Sequence, residues 1–322
     1  MMRYRRTAAI IFGVLLAGVG SVYAYDGLYG LNLVLRHGAV FWSKVRENDP
    51  RLSPAMRLAL TRDTVTAIAG PFSWQSWRPG FETSEMPVVV DGAEVDRLYL
   101  ARLDPRRFQL IVRTAPAGNE YPTDWMHRLH AVAVINGSYY ARFGLPATPV
   151  LAGGIMQGPH DYQGGGGILT VSSQETILRA LPKDDSSEAF AGSDDGIVSY
   201  PLLVGRASGA KPITPSRWLA NRSFIGQDVQ GRIILGTTKD AFFSLARLGA
   251  FLEAAPLNLK IAMNLDGGPV ACQSISVADF KRDVCGKYEL REKDGSLQLW
   301  TVFYGQSVLP VALAVIPRPA EE

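Results

Sequence analysis

From about residue 70 onward the apolar residues come in short runs broken by glycine and proline, a texture of strands and tight turns rather than of a helical bundle. Residues 87–90 and 97–103 flank an Asp91-Gly92 turn and read as paired strands. Residues 108–113, Phe-Gln-Leu-Ile-Val-Arg, alternate as a half-buried strand does, whereas 131–135 are an unbroken apolar run suited to a central strand. Further strands are predicted at 168–171, 201–204, 224–226, 233–236, 261–264 and 297–303. One helix stands out after Asp240, where Phe242, Phe243, Leu245, Ala246, Leu248, Gly249 and Leu252 repeat at helical spacing and Asp240 is placed to cap it. The polar stretch 183–195 reads as a solvated loop. Together these elements predict an α+β fold, a mixed and largely antiparallel sheet with packed helices.

The N-terminal part has another texture. Arg3, Arg5 and Arg6 precede an apolar run over 7–25, a pattern that describes an export signal with Val22-Tyr23-Ala24 as a cleavage site, or a retained anchor in an inner membrane. Either way the arginines stay on the cytoplasmic side and the rest of the chain is exported to the periplasm or cell envelope. Residues 26–69 read as a helical segment, amphipathic through Leu31, Val34, Leu35, Phe41, Trp42 and Val45, with a second helix opening at Ser53-Pro54. A main domain then occupies 70–318.

With 322 residues, 47% of them hydrophobic, the chain can bury a sizeable core. Its formal charge of +3 is supplied by the three N-terminal arginines alone, so the remainder is balanced and offers no electrostatic case for nucleic acid. Export lets Cys272 and Cys285, the only two cysteines, pair, which would stabilise by about 3 kcal/mol in the chain-entropy picture. No histidine stands at zinc-ligand spacing beside them.

Several chemistries lack their sequence mark. There is no Gly-x-Ser-x-Gly elbow, no His-Glu-x-x-His and no phosphate loop. The glycines at 164–167 precede a strand rather than a helix and so offer no helix N-terminus to a dinucleotide. Of the four histidines, His37, His127, His130 and His160, only His160 draws interest, because it lies just ahead of that glycine run.

Three segments put polar residues where apolar runs end. Residues 131–135 lead into Asn136-Gly137-Ser138-Tyr139-Tyr140, Asn221-Arg222-Ser223 stands ahead of the 224–226 strand, and 261–263 lead into Asn264-Leu265-Asp266-Gly267-Gly268. Side chains at strand ends followed by glycine turns line clefts in sheet folds, although Asn-Gly and Asp-Gly are also ordinary turn dipeptides. Gly267 and Gly268 would let backbone N–H groups approach the Asp266 carboxylate or a ligand.

These motifs resemble those of the phosphodiester glycosidase family. The likeness rests on Asn264 to Gly268 with the 242–252 helix before it, on Asn136-Gly137 with Tyr139-Tyr140, on Gly144-Leu145-Pro146, on Tyr200-Pro201-Leu202-Leu203-Val204, on Arg222-Ser223 and on Pro310. It runs from about Trp74 to Pro317 and is most like a bacterial exported branch. The chain departs from the pattern at Ser138, which replaces a glycine, at Val198, where relatives carry Gln, and at Val270-Ala271, where relatives carry hydroxyl residues.

The resemblance implies cleavage of the bond between an anomeric carbon and a phosphodiester, with positive charge growing on the sugar and negative charge on the phosphate. On that basis Asp266 is expected to serve as the catalytic carboxylate and Arg222 as a phosphate clamp acting through paired donors. Asn136 and Asn264 are expected to hydrogen-bond substrate, and Tyr139 or Tyr140 to stack on a sugar face. Gly137, Gly267, Gly268 and His160 are placed at the same site, and Asp240 is a second acid there or a helix cap. No cofactor is demanded, though Asp266, Asp240 and nearby carbonyls offer oxygen ligands for a divalent cation. Two other readings stay open, a hydrolase of other envelope glycans and a non-catalytic envelope protein that binds polysaccharide.

Overall fold

The computed structural model describes residues 2–37, 42–61, 65–160, 162, 166–181, 188–206, 212–302 and 305–319. Phe41, Phe303, Gly164 and Gly165 of the glycine run, and residues 183–187 of the polar stretch lie outside this set.

The fold is α+β. Every strand pairing among the described residues is antiparallel. The largest sheet runs in the order Leu202–Val204, Leu259–Asn264, Ser223–Asp228, Ile233–Thr238, Ala93–Leu103, Phe81–Val90, Ile68–Ala69. A second sheet has the order Phe280–Cys285, Cys272–Val277, Ala133–Asn136, Val311–Pro317, Phe108–Thr114. The two share an apolar core of alternate residues such as Phe81, Leu103, Ile135, Ile225, Leu235, Met263 and Leu313, each removed from water.

The outer face of the large sheet is covered by the helices Pro54–Thr61 and Leu245–Ala254 and by a four-stranded sheet built from Ser43–Val45, Ser296–Thr301, Tyr288–Lys293 and Leu219–Ala220. The outer face of the second sheet is covered by the helix Pro122–Leu129, whose buried Trp125 donates from Nε1 to Leu309 O at 3.1 Å. A further five-stranded sheet, in the order Thr176–Ala180, Gly167–Val171, Asp195–Ser199, Val150–Ala152, Ile155–Gln157, carries the short turn Glu188–Phe190 on its side.

The predicted strands therefore form, most of them extended by one to several residues. Four details differ from the sequence reading. Residues 26–69 are not helical throughout: Ser43–Val45 is a strand that pairs with Ser296–Thr301, so Val45 packs on a sheet, and Ile68–Ala69 joins the edge of the large sheet. The 242–252 helix starts later, at Leu245, with Ser244 Oγ accepting from Arg247 N as its cap, while Phe242 and Phe243 are fully buried ahead of it. Asp195 is a buried strand residue, its Oδ1 accepting from Val112 N, Gly153 N and Arg113 Nη1, because three converging strand edges present donors to it. Phe190 likewise is core rather than solvated loop.

The first helix, Met2–His37, is broken at Asp26 and Gly27, the latter at φ +60°. Ser53 caps the Pro54–Thr61 helix through Met56 N, as its position before a proline predicts. Cys272 and Cys285 are direct partners across a two-strand ladder and form a disulfide.

Candidate active site

Three strand ends meet at one edge of the two main sheets. Ala133–Asn136 ends at Asn136, Leu259–Asn264 ends at Asn264, and Ser223–Asp228 begins one residue after Arg222. Asn136 is the knot. Its Nδ2 donates to Asp266 O at 2.8 Å, and its Oδ1 accepts from Cys272 N at 3.1 Å. The Ser223 hydroxyl lies 2.8 Å from both Asn136 Oδ1 and Asp266 O. Asp266 N donates to Gly137 O, and Leu265 N to Ser223 O. The backbone carrying Asp266 is thereby pinned from both sides, and the amide expected to bind substrate is instead fully occupied in positioning Asp266.

Asp266 itself is partly accessible. Its Oδ1 accepts from Gly267 N at 2.8 Å. Its carboxyl is pushed up to about 8 by burial and by the neighbouring Glu289 carboxylate, against the pull of the Gly267 N–H and the Arg222 guanidinium. Glu289, from the strand Tyr288–Lys293, is raised in the same way, chiefly by burial, although Trp218 Nε1 donates to its Oε1 at 2.7 Å. Two carboxyl groups of raised pKa thus stand beside one guanidinium.

Arg222 is 6% exposed and is brought beside Asp266, which feels its charge. Its Nε donates to Phe243 O at 3.2 Å and its Nη2 to Trp218 O at 2.8 Å. The edge expected to grip a phosphate with paired donors thus holds two backbone carbonyls instead, and Nη1 is the nitrogen nearest Gly267. The guanidinium is locked in place and offers Nη1 to the site.

The glycines answer to crowding. Gly268 has φ +68°, and a Cβ on it would lie 2.6 Å from Glu289 Oε2. At Gly137 a Cβ would lie 2.4 Å from Val311 Cγ1. Gly267 would place one 3.0 Å from Asn221 O and 3.3 Å from Arg222 Nη1.

Tyrosines form one wall. Tyr139 donates to Tyr200 O at 2.8 Å and accepts from Asn264 Nδ2 at 2.6 Å, and its ring lies 4.6 Å from that of Tyr200, which stacks at 5.7 Å on Tyr162. Asn264 also donates to Leu265 O, and its buried Oδ1 has no hydrogen-bond partner. Tyr140 is held well above its ordinary pKa by burial and by Tyr29, Asp266 and Glu289.

Other expected members sit elsewhere. The Asp240 carboxylate accepts from Ser53 Oγ at 2.7 Å and from Ala241 N, so it joins the Pro54–Thr61 helix to the chain ahead of Leu245–Ala254. It neither caps the later helix nor figures among the charges acting on Asp266. His160 is exposed, two residues before Tyr162. Among the described residues no group of three or more His, Cys, Asp or Glu gathers at metal-binding range.

Sequence reasoning missed Glu289 and Tyr29 as neighbours of Asp266, Trp218 as the partner of Glu289 and Arg222, and Tyr200 as the partner of Tyr139. Glu289 stands in a charged run, Glu-Leu-Arg-Glu-Lys, which carries no local mark of an acid at the site. The departures from the family pattern are absorbed by packing. Ser138 is buried and accepts from Thr148 Oγ1 at 2.8 Å, while Val198, Val270 and Ala271 lie in apolar cores.

Residues 130–277, which bring Asn136, Arg222 and Asp266 into this arrangement, match the sequence model of the phosphodiester glycosidase family. Among solved structures, the fold is similar to that of the zebrafish N-acetylglucosamine-1-phosphodiester alpha-N-acetylglucosaminidase catalytic domain, with TM-score 0.52 and 18% identity over 79% of this chain and 89% of that one. It is also similar to a hypothetical protein from Synechocystis, with TM-score 0.50 and 15% identity over 78% of this chain and 64% of that one. At these identities the likeness carries the fold alone. No curated protein matches the chain.

Proposed function

We propose that the protein is an exported glycosidase that hydrolyses a sugar-1-phosphodiester of the cell envelope, with residues 70–318 as the hydrolase domain. The observation that carries this reading is the pair Asp266 and Glu289, two carboxyls of raised pKa, beside the locked guanidinium of Arg222. Arg222 Nη1 holds a phosphate oxygen of the substrate. Asp266, protonated near neutral pH, donates to the phosphate oxygen as the anomeric C–O bond breaks. Glu289 faces the growing positive charge on the sugar and takes a proton from the attacking water. Water oxygen ends on the sugar, the Asp266 proton ends on the phosphomonoester, and the water proton on Glu289 returns to the pair. This gives Asp266 the acid role in place of the carboxylate role read from sequence, because burial and Glu289 hold its proton. Tyr139 and Tyr200 supply apolar ring faces for the sugar.

N-acetylglucosamine is the first sugar to test, since the zebrafish protein of similar fold is named for it. The purified chain incubated with a panel of sugar-1-phosphodiesters should release reducing sugar and phosphomonoester. Asp266→Asn and Glu289→Gln should each remove turnover while keeping the fold by circular dichroism. Binding of the panel without turnover by the unaltered chain would overturn the enzymatic reading in favour of a polysaccharide-binding envelope protein.

A further inference from the structure

The two halves of the first helix behave in opposite ways. From Tyr4 to Tyr25 the side chains face outward, and large apolar ones such as Ile10, Phe12, Val14 and Leu15 are more than half exposed, with no protein surface against them. The apolar stretch 7–25 is about 28 Å long as a helix, enough for a hydrocarbon core. Tyr4 stands near one end and Tyr23 and Tyr25 at the other, where aromatic rings favour the interface.

Past the break at Asp26 and Gly27 the helix is bound to the domain. Asp26 Oδ1 accepts from Phe143 N at 2.5 Å, and the Arg142 guanidinium holds the Tyr25 carbonyl and lies 4.4 Å from the Tyr25 ring centre. Asn32 Nδ2 donates to Ala117 O at 2.6 Å, and Arg36 lies over the Tyr121 ring. Tyr29 is 5% exposed, packed edge-on to Tyr140 at 5.4 Å. Gly144, at φ +65°, packs between Pro116 and this ring, as a Cβ there would lie 2.3 Å from Pro116 O and 3.0 Å from Tyr29 Cδ2.

The loop that clamps the helix is therefore the continuation of Asn136-Gly137, and Tyr140 within it borders Asp266 and Glu289. The break at Asp26 and Gly27 lies between Tyr25 and Tyr29, so the apolar span ends where the clamp begins. Leu28, just past the break, is 59% exposed, and Leu145, next to the Arg142–Gly144 turn that contacts the helix, is 49% exposed.

Resting on the glycosidase reading, we infer that the 7–25 span is retained as a membrane anchor and that the clamp of Asp26, Tyr29 and Arg142 holds the site at the bilayer surface, so that its substrate is a lipid-linked sugar phosphodiester in the same membrane. The aglycone stays in the bilayer beside Leu28 and Leu145 while the sugar phosphate reaches Arg222.

The test uses the full chain reconstituted into phosphatidylethanolamine–phosphatidylglycerol vesicles. Two probes are compared, N-acetylglucosamine 1-phosphate esterified to octadecanol and the same compound esterified to methanol. The octadecyl ester should turn over at least ~10-fold faster in the vesicles that hold the protein than in separate vesicles. The double variant Leu28→Ser, Leu145→Ser should lose most of that advantage and leave methyl ester turnover unchanged. Equal rates in shared and separate vesicles, with the methyl ester cleaved as well as the octadecyl one, would overturn the inference and leave the glycosidase reading standing. A membrane-extracted protein whose N-terminus is found at Tyr25 would overturn it also. Turnover of neither ester would sink both readings together.

Discussion

Replacing Asp266 by Asn separates the chemistry of its proton from its place in the fold. Asn keeps an oxygen for the Gly267 N–H and cannot titrate, so the backbone pinned by Asn136 and Ser223 is left as it is. In the folded chain Asp266 is pushed from 3.8 up to about 8, so above the lower value the folded state holds a proton that the unfolded state has lost. Stability from this group is present below its unfolded pKa and is lost as pH rises through the window up to about 8. The full slope is about 1.4 kcal/mol per pH unit, and solvent reaching the partly accessible carboxyl reduces it to roughly 0.5–1. Between about pH 5 and about pH 7 the unaltered protein should therefore lose roughly 1–2 kcal/mol that Asp266→Asn keeps. At about 2 °C per kcal/mol for a chain of this size, the variant's Tm advantage should grow by roughly 2–4 °C over that interval. Differential scanning fluorimetry at a series of pH values reads this directly. In the same series turnover of the unaltered enzyme should fall above about pH 8, and that of the variant should be lower by about 10²–10⁴. A Tm difference that stays constant with pH would mean that Asp266 titrates as an ordinary carboxylate, and the acid role would fall with it.

Gly268→Ala forces a Cβ onto φ +68° and against Glu289 Oε2, so it should cost about 1–3 kcal/mol by denaturant titration and lower kcat as Glu289 moves. Arg222→Lys loses the carbonyls of Phe243 and Trp218 together, because an ammonium cannot reach both and still face the site; KM for a phosphodiester should rise at least ~10-fold in steady-state assays, and an unchanged KM would remove the phosphate role. Cys272→Ser with Cys285→Ser should lower stability by about 2–4 kcal/mol, measured by thermal melts with and without reductant on the unaltered protein.

Period-two alternation and apolar runs marked many strands of the two main sheets, because both bury one face in a shared core and repeat that demand at every second residue, but Cys272–Val277, Phe280–Cys285 and Tyr288–Lys293 escaped it. The helix cap was misplaced for a related reason: Phe242 and Phe243 continue the helical spacing of Leu245 and Leu248, yet they are buried ahead of the helix, and only the backbone shows that Ser244 ends the extended segment. Val45 was misread because a three-residue strand is too short to show any period. At the site, Asn136, Arg222 and Asp266 were visible as polar residues ending apolar runs. Glu289 was not, for its strand belongs to a separate small sheet laid over the large one, and its approach to Asp266 is a tertiary fact with no local pattern. Asp240 misled in the opposite direction, since an acid near a helix reads alike whether it faces a substrate or Ser53.

The same contacts explain how the fold tolerates two half-buried carboxyls of raised pKa. Each costs desolvation, and neither is met by a full ion pair among the described salt bridges. What opposes collapse of the site is its backbone. Asp266 is tied at N to Gly137 and at O to Asn136 and Ser223, while Asn221 Oδ1 accepts from Lys287 N and Tyr288 N, fixing the strand that carries Glu289. Asn136 and Asn221 thus hold the two carboxyls by their main chains, while Gly267 N and Trp218 Nε1 hold their side chains. Both asparagines immediately precede a residue the site needs for its shape, Gly137 or Arg222, so positioning and chemistry come from adjacent residues rather than from shared ones. An acid whose pKa is raised by design rather than by loose burial requires that rigidity, because a mobile carboxylate would turn to solvent and recover its ordinary value.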